Sequence, residues 1–270
     1  MKSEDYDKEL VCLSLGAGVQ SSALALMCMH EMFEMPDFAV FADTGDESKA
    51  TYEWLDWLEG KLGFPVIRAC NEQKLSEHVF ESIKNGTRVS KPPLFTEGQN
   101  GASAGLLTRD CTGDFKVAVI QRAVRKEMKA KNKKTIRQWI GISLDEVQRM
   151  KPSRVKYSTH EWPLIDARLT RHDCLLWMER NGYPEPPRSA CVYCPHHSNK
   201  EWRRIRDEDK DGWARSVEFD KRIRSGLHGV KSLCFVHRSC VPLDEVDLRD
   251  DSDKGQGLLW GNECEGMCGV

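Results

Sequence analysis

Leu10-Val11-Cys12-Leu13-Ser14-Leu15-Gly16-Ala17-Gly18-Val19-Gln20-Ser21-Ser22 sets the pattern for the first half of the chain. Leu10 to Leu15 is a short apolar run of the kind that forms a buried strand, and Gly16-Ala17-Gly18 turns the backbone. Ser21 to Glu31 then reads as a helix. Outward from there, Phe38 to Ala42 is a second buried strand that stops at Asp43-Thr44-Gly45, and a helix follows from Thr51 to Leu62. Gly63-Phe64-Pro65 breaks that helix before a third strand, Val66 to Ala69. Short apolar strands alternating with helices predict βαβ units with right-handed crossovers, hence an α/β, doubly wound parallel sheet of Rossmann-like type.

Further along, Asn85 to Thr108 is rich in Gly, Pro, Ser and Thr without periodicity, and its length predicts a lid or an unordered connection. A helix is expected over Gly113 to Lys131, a strand over Thr135 to Ile142, a helix over Arg171 to Arg180 and a charged helical region over Lys200 to Arg224. This divides the chain into a nucleotide-binding domain over 1–165 and a cysteine-rich, partly helical region over 166–270 packed on it. The 270 residues carry a formal charge of −2, so overall charge does not mark a nucleic-acid binder. Met1 to Glu9 is acidic and polar, and no run of 18 apolar residues occurs, which predicts a cytoplasmic protein with no membrane partner. Eleven cysteines in a reducing compartment point to metal ligands or redox thiols rather than disulfides.

In a parallel sheet, ligands bind beyond the carboxyl ends of the strands. A glycine turn that opens a helix there offers backbone N–H groups and the positive end of the helix dipole to phosphate. Ser14, Gly16, Ala17, Gly18, Gln20, Ser21 and Ser22 occupy that place. The loop has neither the lysine of a Walker A motif nor the spacing of a dinucleotide fingerprint.

This loop, with Asp43, Thr44 and Gly45 after the second strand, resembles the phosphoadenosine phosphosulfate reductase branch of the PP-loop ATP pyrophosphatases, an adenine nucleotide alpha hydrolase-like fold. In that family a Ser-Gly-Gly-x-Asp-Ser loop cradles the nucleotide phosphates; here Gly16, Ala17 and Gln20 stand for the first Ser, a Gly and the Asp. Gln20 cannot contribute a charge to a magnesium site. Gly141-Ile142-Ser143-Leu144-Asp145-Glu146-Val147-Gln148-Arg149 is similar to the family's Gly-x-x-x-x-Glu-x-x-x-Arg segment, so the resemblance adds Gly141 and Glu146 to the nucleotide site and Arg149 to catalysis. An arginine there grips phosphate or sulfate through two parallel hydrogen bonds. The ligand implied is ATP with Mg²⁺, or alternatively adenylylsulfate or phosphoadenylylsulfate.

Cys191-Val192-Tyr193-Cys194-Pro195-His196-His197 is a CxxC turn suited to two thiolates on one metal or cluster. Cys111 lies 80 positions before it, in a context similar to adenylylsulfate reductases, where a Cys-Cys pair joins a distant CxxC on a [4Fe–4S] cluster; here Thr112 replaces the second cysteine. The resemblance implies Cys111, Cys191 and Cys194 as cluster ligands, with Cys174 as fourth ligand or as a small core thiol. Three thiolates alone resemble the sulfur-transferring tRNA thiolases instead. Zn²⁺ held by Cys174, Cys191 and Cys194 with His196 or His197 is the alternative metal. Near the C-terminus, Cys264 and Cys268 each half-match the Glu-Cys-Gly tail whose cysteine attacks sulfur in the reductases.

Basic residues concentrate from Arg122 to Arg137 and again at Arg203, Arg204 and Arg206, either as solvated helix faces or as a grip on a nucleic-acid backbone. The expected function is an enzyme that adenylylates a substrate, a nucleobase in tRNA or DNA, for sulfur or nitrogen transfer from a sulfur donor. The alternatives are a sulfonucleotide reductase that uses a thiol reductant, and a nucleotide- or cluster-binding module without turnover.

Overall fold

The computed structural model describes residues 9–98, 103–224 and 226–249. The described residues of Met1–Asp43, with Ala50–Ala69 and Val117–Ser189, form one compact unit. Thr44–Lys49, Cys70–Lys116 and the described residues of Ala190–Val270 form a second.

The first unit is built on a five-stranded parallel sheet in the order β3-β2-β1-β6-β7. Its strands are β1 (Leu10–Ser14), β2 (Phe38–Asp43), β3 (Val66–Cys70), β6 (Ile136–Ile140) and β7 (Ser158–Glu161). Alternation along the strands sends side chains to two faces. Val11 and Leu13 of β1, Ala39 and Phe41 of β2 and Trp139 of β6 enter one core with α1 (Val19–Met29), α2 (Lys49–Glu59) and α7 (Arg171–Arg180). Leu10, Cys12, Phe38, Val40 and Ile136 enter a second core against Val124 and Met128 of α5 (Ala118–Ala130). Helices thus cover both faces, the doubly wound arrangement expected from the apolar runs. On the α5 face Gln138 donates to Ser14 Oγ at 2.7 Å and accepts from Ser158 Oγ at 3.3 Å, a polar ladder across three strands. The chain runs outward from β1 to β3 on one side and resumes at β6 on the other. The order therefore reverses between β1 and β6.

The second unit has a three-stranded antiparallel sheet, β5-β4-β8, with β4 at Phe95–Glu97, β5 at Ser103–Leu106 and β8 at Cys234–Phe235. Its core gathers Leu75 and Val79 of α3 (Leu75–Asn85) with Trp202, Ile205, Phe219 and Ile223 of α8 (Asn199–Glu208) and α9 (Lys210–Ile223). Tyr193 stacks flat on Phe219 in that core, ring centroids 3.7 Å apart. Within the segment Asn85 to Thr108, expected as a lid or an unordered connection, β4 and β5 form. These strands are short and β4 pairs with β8, far along the chain, so no local alternation announces them. The helix expected over Gly113 to Lys131 is also broken: α4 (Asp110–Thr112) leads into a π-helical turn, Gly113–Val117, before α5 begins. Among the described residues no helix is long and apolar enough to cross a membrane.

Candidate functional site

In the first unit, β1 ends at Ser14 and the loop that follows opens α1. Ala17 is fully buried at φ +56°, a conformation that costs an alanine about 1–2 kcal/mol relative to the right-handed region. Strain of this kind persists where surrounding contacts impose it, and it clusters at binding sites. One such contact is Ser21 Oγ, which accepts the Gly16 N–H at 3.1 Å. Ser22 is wholly buried and its Oγ accepts Trp54 Nε1–H at 3.0 Å, which fixes the first turn of α1 from beneath. Gly18 is the N-cap and no side chain caps the helix. A Cβ at Gly18 would meet nothing within 4 Å, so open space lies over the N-terminus of α1. The first-turn N–H groups that a helix leaves without internal partners face a place a phosphate can occupy.

Gly141, just after β6, approaches the same turn closely: a Cβ there would lie 2.8 Å from Ser21 Cα and 2.9 Å from Ser21 N. The 3₁₀ turn Leu144–Arg149 follows and carries Glu146 and Arg149. Gln20 Nε2 donates to Glu146 Oε2 at 3.1 Å, Arg149 Nη1 pairs with Glu146 Oε1 at 2.6 Å, and Arg171 Nη1 donates to Gln20 Oε1 at 3.3 Å. Gln20 thus joins a carboxylate to an arginine. The negative charge that Gln20 cannot supply stands beside it on Glu146. Burial raises the Asp145 carboxyl, but hydrogen bonds from Ser143 and from the Arg171 N–H outweigh it and hold the pKa below the usual carboxylate value. Asp43, at the end of β2, accepts the Tyr52 hydroxyl at 2.8 Å. Ser14 is engaged in the polar ladder through Gln138.

Among the residues read from sequence, the unit therefore brings together Gly16, Ala17, Gly18, Gln20, Ser21, Ser22, Gly141, Glu146 and Arg149. Arg171 was named only as the start of a helix; its role in the network came from the fold. Thr170 and Asp173 form a capping box around that helix start, with Thr170 Oγ accepting Asp173 N–H at 3.2 Å and Asp173 Oδ2 accepting Thr170 N–H at 2.9 Å. That pattern marks a helix start and by itself no site.

In the second unit, Thr44 and Gly45 lead into Asp46 and Glu47, both buried. Gly45 has φ +76°, and a Cβ there would meet Lys74 Cγ at 2.5 Å. Asp46 accepts Ser76 N–H at 2.8 Å, Ser76 Oγ–H at 2.9 Å and the Tyr193 hydroxyl at 2.7 Å. Cys191 Sγ shares a hydrogen bond with Thr44 Oγ1 at 3.1 Å and lies 4.0 Å from Glu47 Oε1. The CxxC turn and the Asp-Thr-Gly segment are thereby joined, a link neither motif announces alone. Burial, reinforced by Glu47, pushes the Cys191 thiol well above its usual pKa. His197 Nε2 contacts the Cys191 carbonyl at 3.0 Å.

Cys111, Cys191 and Cys194 all belong to this second unit, whereas Cys174 is fully buried in the α1–α7 core of the first, where burial raises its pKa to about 12. Among the described residues no three His, Cys, Asp or Glu side chains stand close enough to hold a metal ion. The described thiols are thus not gathered into a cluster or zinc site. Cys264 and Cys268 lie outside the described residues. Burial also raises Cys12, Cys28 and Cys234, the last two to about 12 and about 11, while Cys70 is exposed. Because the thiolate is the nucleophile, iodoacetamide at pH 8 is expected to label Cys70 in the folded chain and to spare Cys12, Cys28, Cys174 and Cys191 until denaturant is added. Peptide mass mapping checks this; rapid labelling of Cys191 in the folded chain would show a thiol unlike the one described.

No protein-family profile matches the chain, and no curated protein does. Among solved structures it is similar to phosphoadenylyl-sulfate (PAPS) reductase from Candida auris in a phosphate complex, at 11% identity over 67% of this chain and 76% of that one, with a TM-score of 0.42. The fold assignment rests on the strand order itself: a five-stranded parallel sheet wound on both faces, with a glycine loop after β1.

Proposed function

We propose that the first unit binds ATP with Mg²⁺ where the strand order reverses, and that the enzyme transfers the adenylyl group to a substrate oxygen. The observation that carries this reading is the open, uncapped N-terminus of α1 above the strained turn at Ala17. Oligophosphate fits such a place through backbone N–H groups and the helix dipole. A carbonyl or carboxylate oxygen of the acceptor attacks the α-phosphorus, the bond to the β-phosphate oxygen breaks, and pyrophosphate leaves with the electron pair. A sulfur or nitrogen nucleophile then displaces AMP from the activated carbon. Arg171 and Arg149 offset negative charge developing on the phosphates, and Glu146 is the carboxylate beside Gln20 available to Mg²⁺, which neutralises phosphate charge when bound.

The test is nucleotide turnover with acceptor candidates that include tRNA and DNA. AMP and pyrophosphate are the expected products, and Arg171→Ala is expected to lower kcat/KM by about 10²-fold. Sulfite released from adenylylsulfate or phosphoadenylylsulfate with a thiol reductant would replace this reading by the reductase. Binding of either nucleotide without any turnover would leave a binding module.

A further inference from the structure

We propose that the outer face of α5, with the loop before β7, docks the phosphodiester backbone of a folded RNA that presents an unpaired base. Helix α5 buries Val119, Val124 and Met128, and its exposed side carries Arg122, Arg125, Lys126 and Lys129. These four stand at i, i+3, i+4 and i+7, a single stripe opposite the apolar one and about 10 Å long. Glu127 is the only carboxylate in the helix. Arg125 fastens a second basic segment to it: its Nε donates to the Tyr157 hydroxyl at 2.9 Å and its guanidinium lies over that ring at 5.5 Å. The segment 147–157 contains no carboxylate, and Lys151, Arg154 and Lys156 are exposed on it. Arg137, basic in sequence and adjacent, does not contribute, since Glu161 and Glu34 pair with it.

Within a chain of net charge −2, this concentration of one sign calls for a polyanion. The exposed stripe of α5 is made of Lys and Arg alone, side chains that pair with phosphate oxygens whatever the base, which suits backbone contact. The basic segment also leads away from Arg149, which pairs with Glu146 beside Gln20. A strand held on this face therefore runs up to the phosphate loop, and that link rests on the reading of the loop as a nucleotide site. A base delivered there must already be out of a helical stack, which loops of folded RNA offer without the unstacking a duplex demands.

The test uses the full chain, a fluorescein-labelled RNA hairpin with an unpaired loop, and anisotropy across 50–200 mM NaCl. Wild type is expected to bind with an affinity that falls steeply with salt. The triple variant Lys126→Glu, Lys129→Glu, Arg154→Glu should bind at least about tenfold more weakly and with a salt slope flatter by about 2. Lys151→Glu with Lys156→Glu should weaken binding as well. Both variants should retain wild-type ATP affinity, which also shows that they fold. No RNA binding by wild type at 50 mM NaCl, unchanged binding by the variants, or equal affinity for duplex DNA of the same length would each overturn the proposal. RNA binding without ATP binding by wild type would instead strike the function proposed for the loop.

Discussion

Gly141→Ala is expected to reduce ATP affinity at least about tenfold, equivalent to about 1.4 kcal/mol, and to lower stability by about 1–3 kcal/mol. The added methyl would sit 2.8 Å from Ser21 Cα and 2.9 Å from Ser21 N, and backbone atoms cannot rotate aside as a long side chain can. Either β6 or the first turn of α1 must move, and Ser21 Oγ holds the Gly16 N–H in that turn. Gly18→Ala provides the comparison. Nothing lies within 4 Å of its added Cβ, so stability should change little while the methyl occupies the space assigned to phosphate. Urea unfolding and calorimetric titration with ATP separate the two. If Gly141→Ala bound ATP as wild type, the loop would not be the nucleotide site; if Gly18→Ala did, the phosphate would lie elsewhere along it.

Asp46→Ala is expected to destabilise the protein by about 3–5 kcal/mol, among the largest effects of any polar substitution in the chain. The carboxylate is 3% exposed and accepts hydrogen bonds from Ser76 N–H, Ser76 Oγ–H and the Tyr193 hydroxyl. Its removal leaves the buried Tyr193 hydroxyl without an acceptor and the half-buried Ser76 N–H and Oγ–H without this one. Asp46→Asn keeps the shape and one carbonyl oxygen, so its cost should be smaller, about 1–3 kcal/mol. Denaturant midpoints measure both, and iodoacetamide labelling of Cys191 in the folded state reports whether the CxxC turn loosens with Asp46. A cost below 1 kcal/mol for Asp46→Ala would mean that water reaches this carboxylate.

β1 and β2 were legible because each is an apolar run buried on both faces, and the glycine turn after β1 was legible because a parallel sheet has few places for one. β7 was not. Its sequence, Ser158-Thr159-His160-Glu161, is polar because it is an edge strand with one neighbour, and polar edges carry no apolar pattern. Helix α3 buries Leu75, Val79 and Ser82, a stripe with one polar member, so its apolar pattern is weak. In the site, the loop glycines and Glu146 were read singly. What local pattern cannot show is that Gln20 reaches Glu146 across 126 positions, or that Arg171 completes the pair. The thiol of Cys174 shows the opposite limit: a cysteine in an otherwise charged helix start is buried only because α7 turns that side toward α1.

The place of β1 between β2 and β6 has a consequence for biosynthesis. Its register with β2 is available as soon as the first βαβ unit emerges, but its other edge pairs with β6, and the Ser14–Gln138 contact spans 124 positions. At ordinary elongation speeds that edge waits roughly 6–25 s on the ribosome. During that interval an apolar strand at the middle of the future sheet is an open template for foreign strands. Nascent chains stalled before residue 136 should therefore engage chaperones and aggregate on release, and chains released after β6 should not.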